Sequence, residues 1–185
     1  MKLIKTPLEG LVILEPKRFI DKRGCFLESF QEKRYQKILN TKVSFVQDNL
    51  SHSKQYVLRG LHYQLQKPQD KLVTVIKGSV FDVAVDIRKS SPTFGRWFGT
   101  ILNDENHHQL FIPKGFAHGF YVLSESADFH YKCSDYYTPA TELGILWSDT
   151  DLAITWPSKG KILLSEKDKL YPSLKNISQE CLFND

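Results

Sequence analysis

The sequence predicts an all-β fold, a sandwich or barrel with a few short helices, on three observations. Short apolar runs recur at about ten-residue spacing with turn residues between them. Aromatic residues make up 12% of the chain and are mostly Phe and Tyr, which suit a pleated, half-buried surface. One stretch, residues 31–40, switches to helical period, with Tyr35, Ile38 and Leu39 three and four apart among Lys, Arg and Glu.

Taken in order, residues 11–14 form an apolar run closed by Pro16, and Asp21-Lys22-Arg23-Gly24 is a turn leading into the run 25–30. After the helix, strands are expected at 43–50 and 56–64. The runs 71–76 and 80–87 flank Lys77-Gly78-Ser79, which reads as a hairpin with Gly78 in its turn. Val80, Asp82, Ala84 and Asp86 alternate there with Phe81, Val83, Val85 and Ile87. Further strands are expected at 96–102, 109–112, 119–123 and 128–133. The pieces 145–147, 154–157 and 163–169 are less regular and are expected to close a barrel end or pack on its outside. No composition break or repeat divides the chain, so residues 1–185 are expected to form one domain.

Composition narrows the function classes. Charged residues make up 25% of the chain, and the net charge of +4 is spread without basic runs. That disfavours a nucleic-acid partner and leaves open a pocket for a small phosphorylated anion. Cys25, Cys133 and Cys181 are odd in number and far apart, which suits a reducing compartment. No apolar run approaches the roughly 20 residues of a membrane helix, so a cytoplasmic domain is expected, with no membrane partner.

Val57-Leu58-Arg59-Gly60-Leu61-His62-Tyr63-Gln64 sets an arginine and a histidine in an apolar strand. Strict alternation would put Arg59 and His62 on opposite faces, and a bulge or bend at Gly60 would bring both toward one cavity. Pro113-Lys114-Gly115-Phe116-Ala117-His118 fits the Pro-x-Gly-x-x-His element of cupin barrels. Where metal-binding cupins have His-x-His, this chain reads His62-Tyr63-Gln64, with Lys71 downstream and no glutamate ligand between them. No metal and no cofactor are therefore expected, and His62 is available as a base. Proton abstraction beside a carbonyl would use such a base with a lysine at the developing oxyanion and a tyrosine as acid, for which Lys71 and Tyr131 are candidates. On residues alone, His62 is more often a hydrogen-bonded core or surface histidine, and Tyr131 is better explained as strand packing with its hydroxyl at a barrel end. Residues 165–169 read as a solvated charge cluster, His107, His108 and His130 as loop or surface residues, and Arg23 and Arg59 as ion-pair or diphosphate partners.

Arg59-Gly60-Leu61-His62-Tyr63-Gln64, Gly78 through Arg88, Ser91-Pro92-Thr93-Phe94-Gly95, Ile112 through Phe120, Tyr131 through Tyr137, Ile154-Thr155-Trp156-Pro157 and Leu164-Ser165-Glu166-Lys167-Asp168 together resemble the dTDP-4-dehydrorhamnose 3,5-epimerase family. The resemblance is collinear from about Gly10 to Asp168. It implies a metal-free cupin (double-stranded β-helix, jelly-roll) homodimer with strands exchanged between subunits. The implied reaction inverts C3 and C5 of dTDP-4-dehydro-6-deoxy-D-glucose on the route to dTDP-L-rhamnose. By motif position, His62 is the implied base, Asp168 its carboxylate partner, Lys71 the group at the C4 oxygen and Tyr131 the acid. Arg23, Glu28, Gln47, Asn49, Arg59, His118, Glu142 and Lys167 are the implied substrate contacts, Tyr137 the residue stacked on thymine, and Phe19 a lining of the nucleotide groove. The alternatives are a C3-only epimerase, a sugar-nucleotide ketoisomerase, a non-catalytic sugar-nucleotide binder and a metal-dependent cupin oxygenase.

Overall fold

In the computed structural model, which describes residues 1–158 and 162–184, two antiparallel sheets face each other as a jelly-roll barrel. The strands are β1 (Lys2–Lys5), β2 (Val12–Glu15), β3 (Arg18–Asp21), β4 (Gly24–Leu27), β5 (Gln47–Lys54), β6 (Leu58–Gln64), β7 (Lys71–Lys77), β8 (Ser79–Asp86), β9 (Trp97–Asn103), β10 (Gln109–Ile112), β11 (Phe116–Val122), β12 (Ser126–Cys133) and β13 (Glu142–Gly144). The larger sheet has the order β1-β2-β10-β7-β12-β5 and the smaller β13-β6-β11-β8-β9, while β3 and β4 form a separate hairpin. The helix α1 (Glu32–Leu39) lies between β4 and β5, and three short 3-10 turns occur at Pro139–Thr141, Leu174–Asn176 and Gln179–Cys181.

Three apolar clusters organise these layers. The barrel interior is filled by residues such as Leu11, Val73, Val75, Ala84, Leu110, Phe120 and Phe129. The outer face of the smaller sheet, with Leu61, Tyr63, Val83, Val85 and Ala117, is covered by the C-terminal residues Ile145, Leu152, Leu174, Ile177 and Leu182. The tail is tied down where the Asp149 carboxylate accepts the backbone N–H of Leu174 at 2.6 Å and the Tyr63 hydroxyl donates to the Cys181 carbonyl at 2.8 Å. α1 covers the outer face of the larger sheet through Tyr35, whose hydroxyl donates to Gln109 at 2.7 Å, with Phe30, Ile38 and Phe45 packed beside Leu14, Leu72 and Phe111.

Three sequence expectations are corrected. Gly78 (φ +84°) does not turn a hairpin: β7 and β8 belong to different sheets, and the glycine carries the chain around the barrel corner. A Cβ there would fall 2.1 Å from the Ser126 carbonyl, so the corner requires glycine for space as well as for φ. The strand expected at 43–50 begins only at Gln47 and runs to Lys54, because Val43 and Phe45 are spent on packing against α1. The pieces 145–147 and 154–157 pack on the outside of the barrel as expected, Ile145, Ile154 and Trp156 joining the cluster on the outer face of the smaller sheet. Asp168 is no part of a solvated cluster, being only 2% exposed while its neighbour Glu166 faces solvent.

The strand β6 is bulged where the sequence is odd. His62 pairs with His118 and Arg59 with Phe120, so Gly60 and Leu61 together oppose the single residue Gly119. Gly60 has φ +122°, and a Cβ on it would lie 2.5 Å from the Gly119 Cα. The extra residue resets the alternation, so that Arg59 and His62, three apart in sequence, both face the barrel interior beside Phe120 and His118.

Candidate active site

One end of the barrel interior is open as a cavity of about 380 Å³. The larger sheet contributes Gln47, Asn49 and Ser51 from β5, Lys71 from β7, and Phe129, Tyr131 and Cys133 from β12. Arg59, His62 and Gln64 from β6, His118 and Phe120 from β11, and Glu142 from β13 enter from the smaller sheet. Tyr137 stands at the mouth, 48% exposed. His62 and Tyr131 therefore look across the cavity from opposite sheets.

His62 is held from behind. Its Nε2 lies 2.6 Å from Asp168 Oδ1, and since a carboxylate can only accept, that nitrogen carries the proton and Nδ1 is left with the lone pair. Glu142 Oε1 is 3.9 Å from Nδ1. Burial acts to raise the Asp168 pKa, but the hydrogen bond and charge of His62, with the Ser165 side chain and the Gly60 N–H, outweigh it and hold the carboxyl below its ordinary range. The Gly60 amide thus supports the partner of the histidine two residues further on.

Lys71 opens β7 directly after Asp70, whose carboxylate accepts from the Lys114 N–H at 3.1 Å and from the Ser134 hydroxyl at 2.9 Å. These bonds fix the end of the 64–70 loop and so the starting point of the lysine. Burial lowers the Lys71 pKa, against the opposing influence of Cys133 and the carboxylates of Glu142 and Asp82. Burial raises the Tyr131 pKa, with Cys133 and Glu142 adding to it, so the phenol keeps its proton through neutral pH.

His118 belongs to a second, fully buried pair: its Nε2 lies 2.9 and 3.0 Å from the two oxygens of Asp82, which is 0% exposed. Asp82 escapes a reading of the sequence that expects charged residues of a strand to face water. Its signal was present, since the Val80-Asp82-Ala84 face alternates with a wholly apolar one, and here the C-terminal segment covers that apolar face and turns the acid inward.

The mouth is organised by amides. Gln64, at the position of a cupin metal ligand, donates to the carbonyls of Lys67 (2.7 Å) and Tyr136 (3.1 Å) and accepts from the Thr138 N–H (2.8 Å). Gln47 accepts from the Tyr137 N–H at 2.9 Å and donates to Asn49 at 3.0 Å. The two glutamines hold the segment that carries Tyr137, whose hydroxyl donates to Glu142 at 2.9 Å. Lys167 also donates to Glu142. Among the described residues, no group of three or more His, Cys, Asp and Glu side chains is arranged to hold a metal ion.

Arg23, Glu28 and Phe19 do not join this cavity. Arg23, on the β3–β4 turn, pairs with Asp21 at 2.6 Å, and Glu28 lies 2.9 Å from Arg34. Phe19 is 52% exposed on the hairpin, next to Phe26.

A jelly-roll barrel of the cupin type thus sets a carboxylate-paired histidine across one cavity from a tyrosine and a half-buried lysine, side chains able to give and take protons. The chain belongs to the dTDP-4-dehydrorhamnose 3,5-epimerase family, whose model matches residues 5–176. It is 56% identical over 169 residues to the dTDP-4-dehydrorhamnose 3,5-epimerase of Shigella flexneri, covering 91% of this chain and 93% of that one. It also superposes on the Legionella pneumophila dTDP-6-deoxy-D-glucose-3,5-epimerase solved with dTDP-4-keto-L-rhamnose, with a TM-score of 0.98, 55% identity, and coverage of 100% of this chain and 98% of that one. A Streptomyces niveus dTDP-4-dehydrorhamnose 3-epimerase is 39% identical over 170 residues, covering 91% of this chain and 82% of that one.

Proposed function

We propose that residues 1–185 act as one domain that inverts C3 and C5 of dTDP-4-dehydro-6-deoxy-D-glucose by enolisation next to the C4 ketone. The observation that carries this reading is the placement of His62 and Tyr131 on opposite sheets across one cavity. Inversion needs a proton removed on one face of the ring and returned on the other, so base and acid must flank the sugar. His62 Nδ1 takes the proton, Asp168 stabilises the imidazolium, Lys71 meets the negative charge developing on the C4 oxygen, and the Tyr131 phenol reprotonates the carbon. Arg59, His118, Gln47, Asn49, Glu142 and Lys167 contact the substrate, and Tyr137 offers a flat face to thymine at the cavity mouth. The site works with protein side chains alone, without metal or cofactor, and three free cysteines suit the cytoplasm.

We further propose a homodimer with exchanged strands. The β3–β4 hairpin exposes Phe19, Ile20 and Phe26, and β5, which carries Gln47 and Asn49, is an unpaired edge at the cavity mouth. A partner's hairpin laid along that edge would cover both and would bring Arg23, Phe19 and Glu28 to the neighbouring subunit's cavity. No nucleic-acid or membrane partner is part of this reading, and no helix among the described residues is long and apolar enough to cross a bilayer.

The test is incubation with dTDP-4-dehydro-6-deoxyglucose in D2O, followed at C3 and C5 by NMR. Deuterium at both carbons is expected. Deuterium at C3 alone supports the C3-only reading that the Streptomyces niveus relative brings forward. Exchange at neither carbon refutes enolisation. His62→Ala should abolish exchange, and Tyr131→Phe should exchange while losing inverted product.

A further inference from the structure

A histidine held by one hydrogen bond can still pivot about that bond, so the Asp168 contact alone does not fix where Nδ1 points. The ring of Tyr171 lies edge-on to the imidazole of His62, with centroids 5.7 Å apart and planes at 67°. The same ring rests on Gly144 of β13, the direct cross-strand partner of His62. A Cβ at 144 would fall 2.5 Å from the Tyr171 ring, so the strand position opposite the histidine is kept bare for it. Leu146 N–H donates to the Pro172 carbonyl at 2.8 Å, fastening the segment immediately after the tyrosine. The Tyr171 hydroxyl is buried beside the Lys167 ammonium, which interacts with it. Burial and the nearby Glu142 carboxylate raise its pKa and outweigh the lowering influence of Lys167, so it stays a neutral phenol and is not poised as a second base.

The geometry points to Tyr171 as a positioning residue for His62: its ring, seated on Gly144, fixes the imidazole plane that Asp168 leaves free to pivot. A competing orientation is within reach, since Glu142 Oε1 stands 3.9 Å from Nδ1 and would capture it if the ring swung that way. A histidine so captured would hold protons on both nitrogens and lose the lone pair the reaction uses. This inference rests on His62 being the base. Tyr171 need not touch the substrate, and the ring, not the hydroxyl, does the positioning.

The experiment measures deuterium exchange at saturating substrate and, separately, the Kd for dTDP, in wild type, Tyr171→Phe, Tyr171→Ala and Gly144→Ala. Tyr171→Phe keeps the ring and should exchange within about twofold of wild type. Tyr171→Ala and Gly144→Ala should exchange about 10- to 100-fold more slowly, the scale of a misplaced reacting group, with dTDP affinity nearly unchanged. Should Tyr171→Ala fail to fold, Tyr171→Leu takes its place, filling the volume without a flat edge. The inference is overturned if the ring-less variant exchanges within about threefold of wild type, if it loses dTDP affinity by the same factor as rate, or if Tyr171→Phe is as slow as Tyr171→Ala. Absence of exchange in the wild type would overturn the assignment of the base instead.

Discussion

Replacing Asp168 by asparagine tests the base assignment where the structure is most specific. The substitution preserves shape and removes a charge that accepts from His62 Nε2 at 2.6 Å, the short distance of a charge-assisted bond. A hydrogen bond to a charged group is worth about 1.5–3 kcal/mol. If that is gained as the imidazolium forms, its loss slows the reaction about 10- to 150-fold, at 1.36 kcal/mol per factor of ten. The loss is larger if the new amide turns its NH2 toward the ring, because Nε2 then accepts and the lone pair leaves Nδ1. Exchange into C3 and C5 at saturating substrate reads the rate, and dTDP binding reports whether the cavity survives. Stability gives a second readout. The folded-state pKa of Asp168 lies below its ordinary value of 3.8, so its contribution is in place at neutral pH and fades as the pH falls below that value through the folded-state pKa. Wild type should therefore be more stable than Asp168→Asn at pH 7, with the gap closing in acid. A variant that exchanges within about threefold of wild type with dTDP binding intact would refute the pairing of Asp168 with a catalytic His62.

Two other outcomes follow from the cavity and its edge. Burial lowers the Lys71 pKa and raises that of Tyr131, moving the two titrations in opposite directions, and the alkaline fall in kcat is expected to follow the lysine and to lie below a free lysine's range. Lys71→Arg should shift the fall upward, Tyr131→Phe should leave its position in place, and a fall that vanishes with the tyrosine would contradict the assignment. For the dimer, Arg23→Ala and His62→Ala should each be nearly inactive alone. Refolded together they should recover about one quarter of wild-type activity, because half the dimers are mixed and one of their two cavities is intact. No recovery would mean that Arg23 serves its own chain's cavity or none.

The strand series was legible because its signals are local. Apolar runs bounded by turn residues matched nearly every barrel strand, and the helical spacing around Tyr35 matched α1. What could not be read locally was decided by covering layers. Gly78 looks the same in a hairpin turn and at a barrel corner; only the pairing of β7 with β10 and β12, and of β8 with β9 and β11, distinguishes them. Asp82 could be placed only once the C-terminal segment was known to cover the opposite face of its strand. Asp168 was suggested by family resemblance alone, since a carboxylate between two lysines carries no sign that a distant histidine will bury it. Tyr171 gave no signal, because its meaning depends on the bare backbone of Gly144.

The bulge at Gly60 connects these distant pieces. Without the extra residue, Arg59 and His62 would leave β6 on opposite faces, one toward the cavity and one toward the C-terminal cover. With it, both enter the cavity, at the cost of a backbone that only glycine tolerates on β6 and a second glycine, Gly119, directly against it on β11. The displaced Gly60 amide then donates to Asp168, the carboxylate that holds His62. One local irregularity thus aims the histidine, aims the arginine and helps keep the histidine's partner ionised. A substitution at either glycine should therefore disturb binding and catalysis together, whereas a change at Asp168 or Tyr171 should separate them.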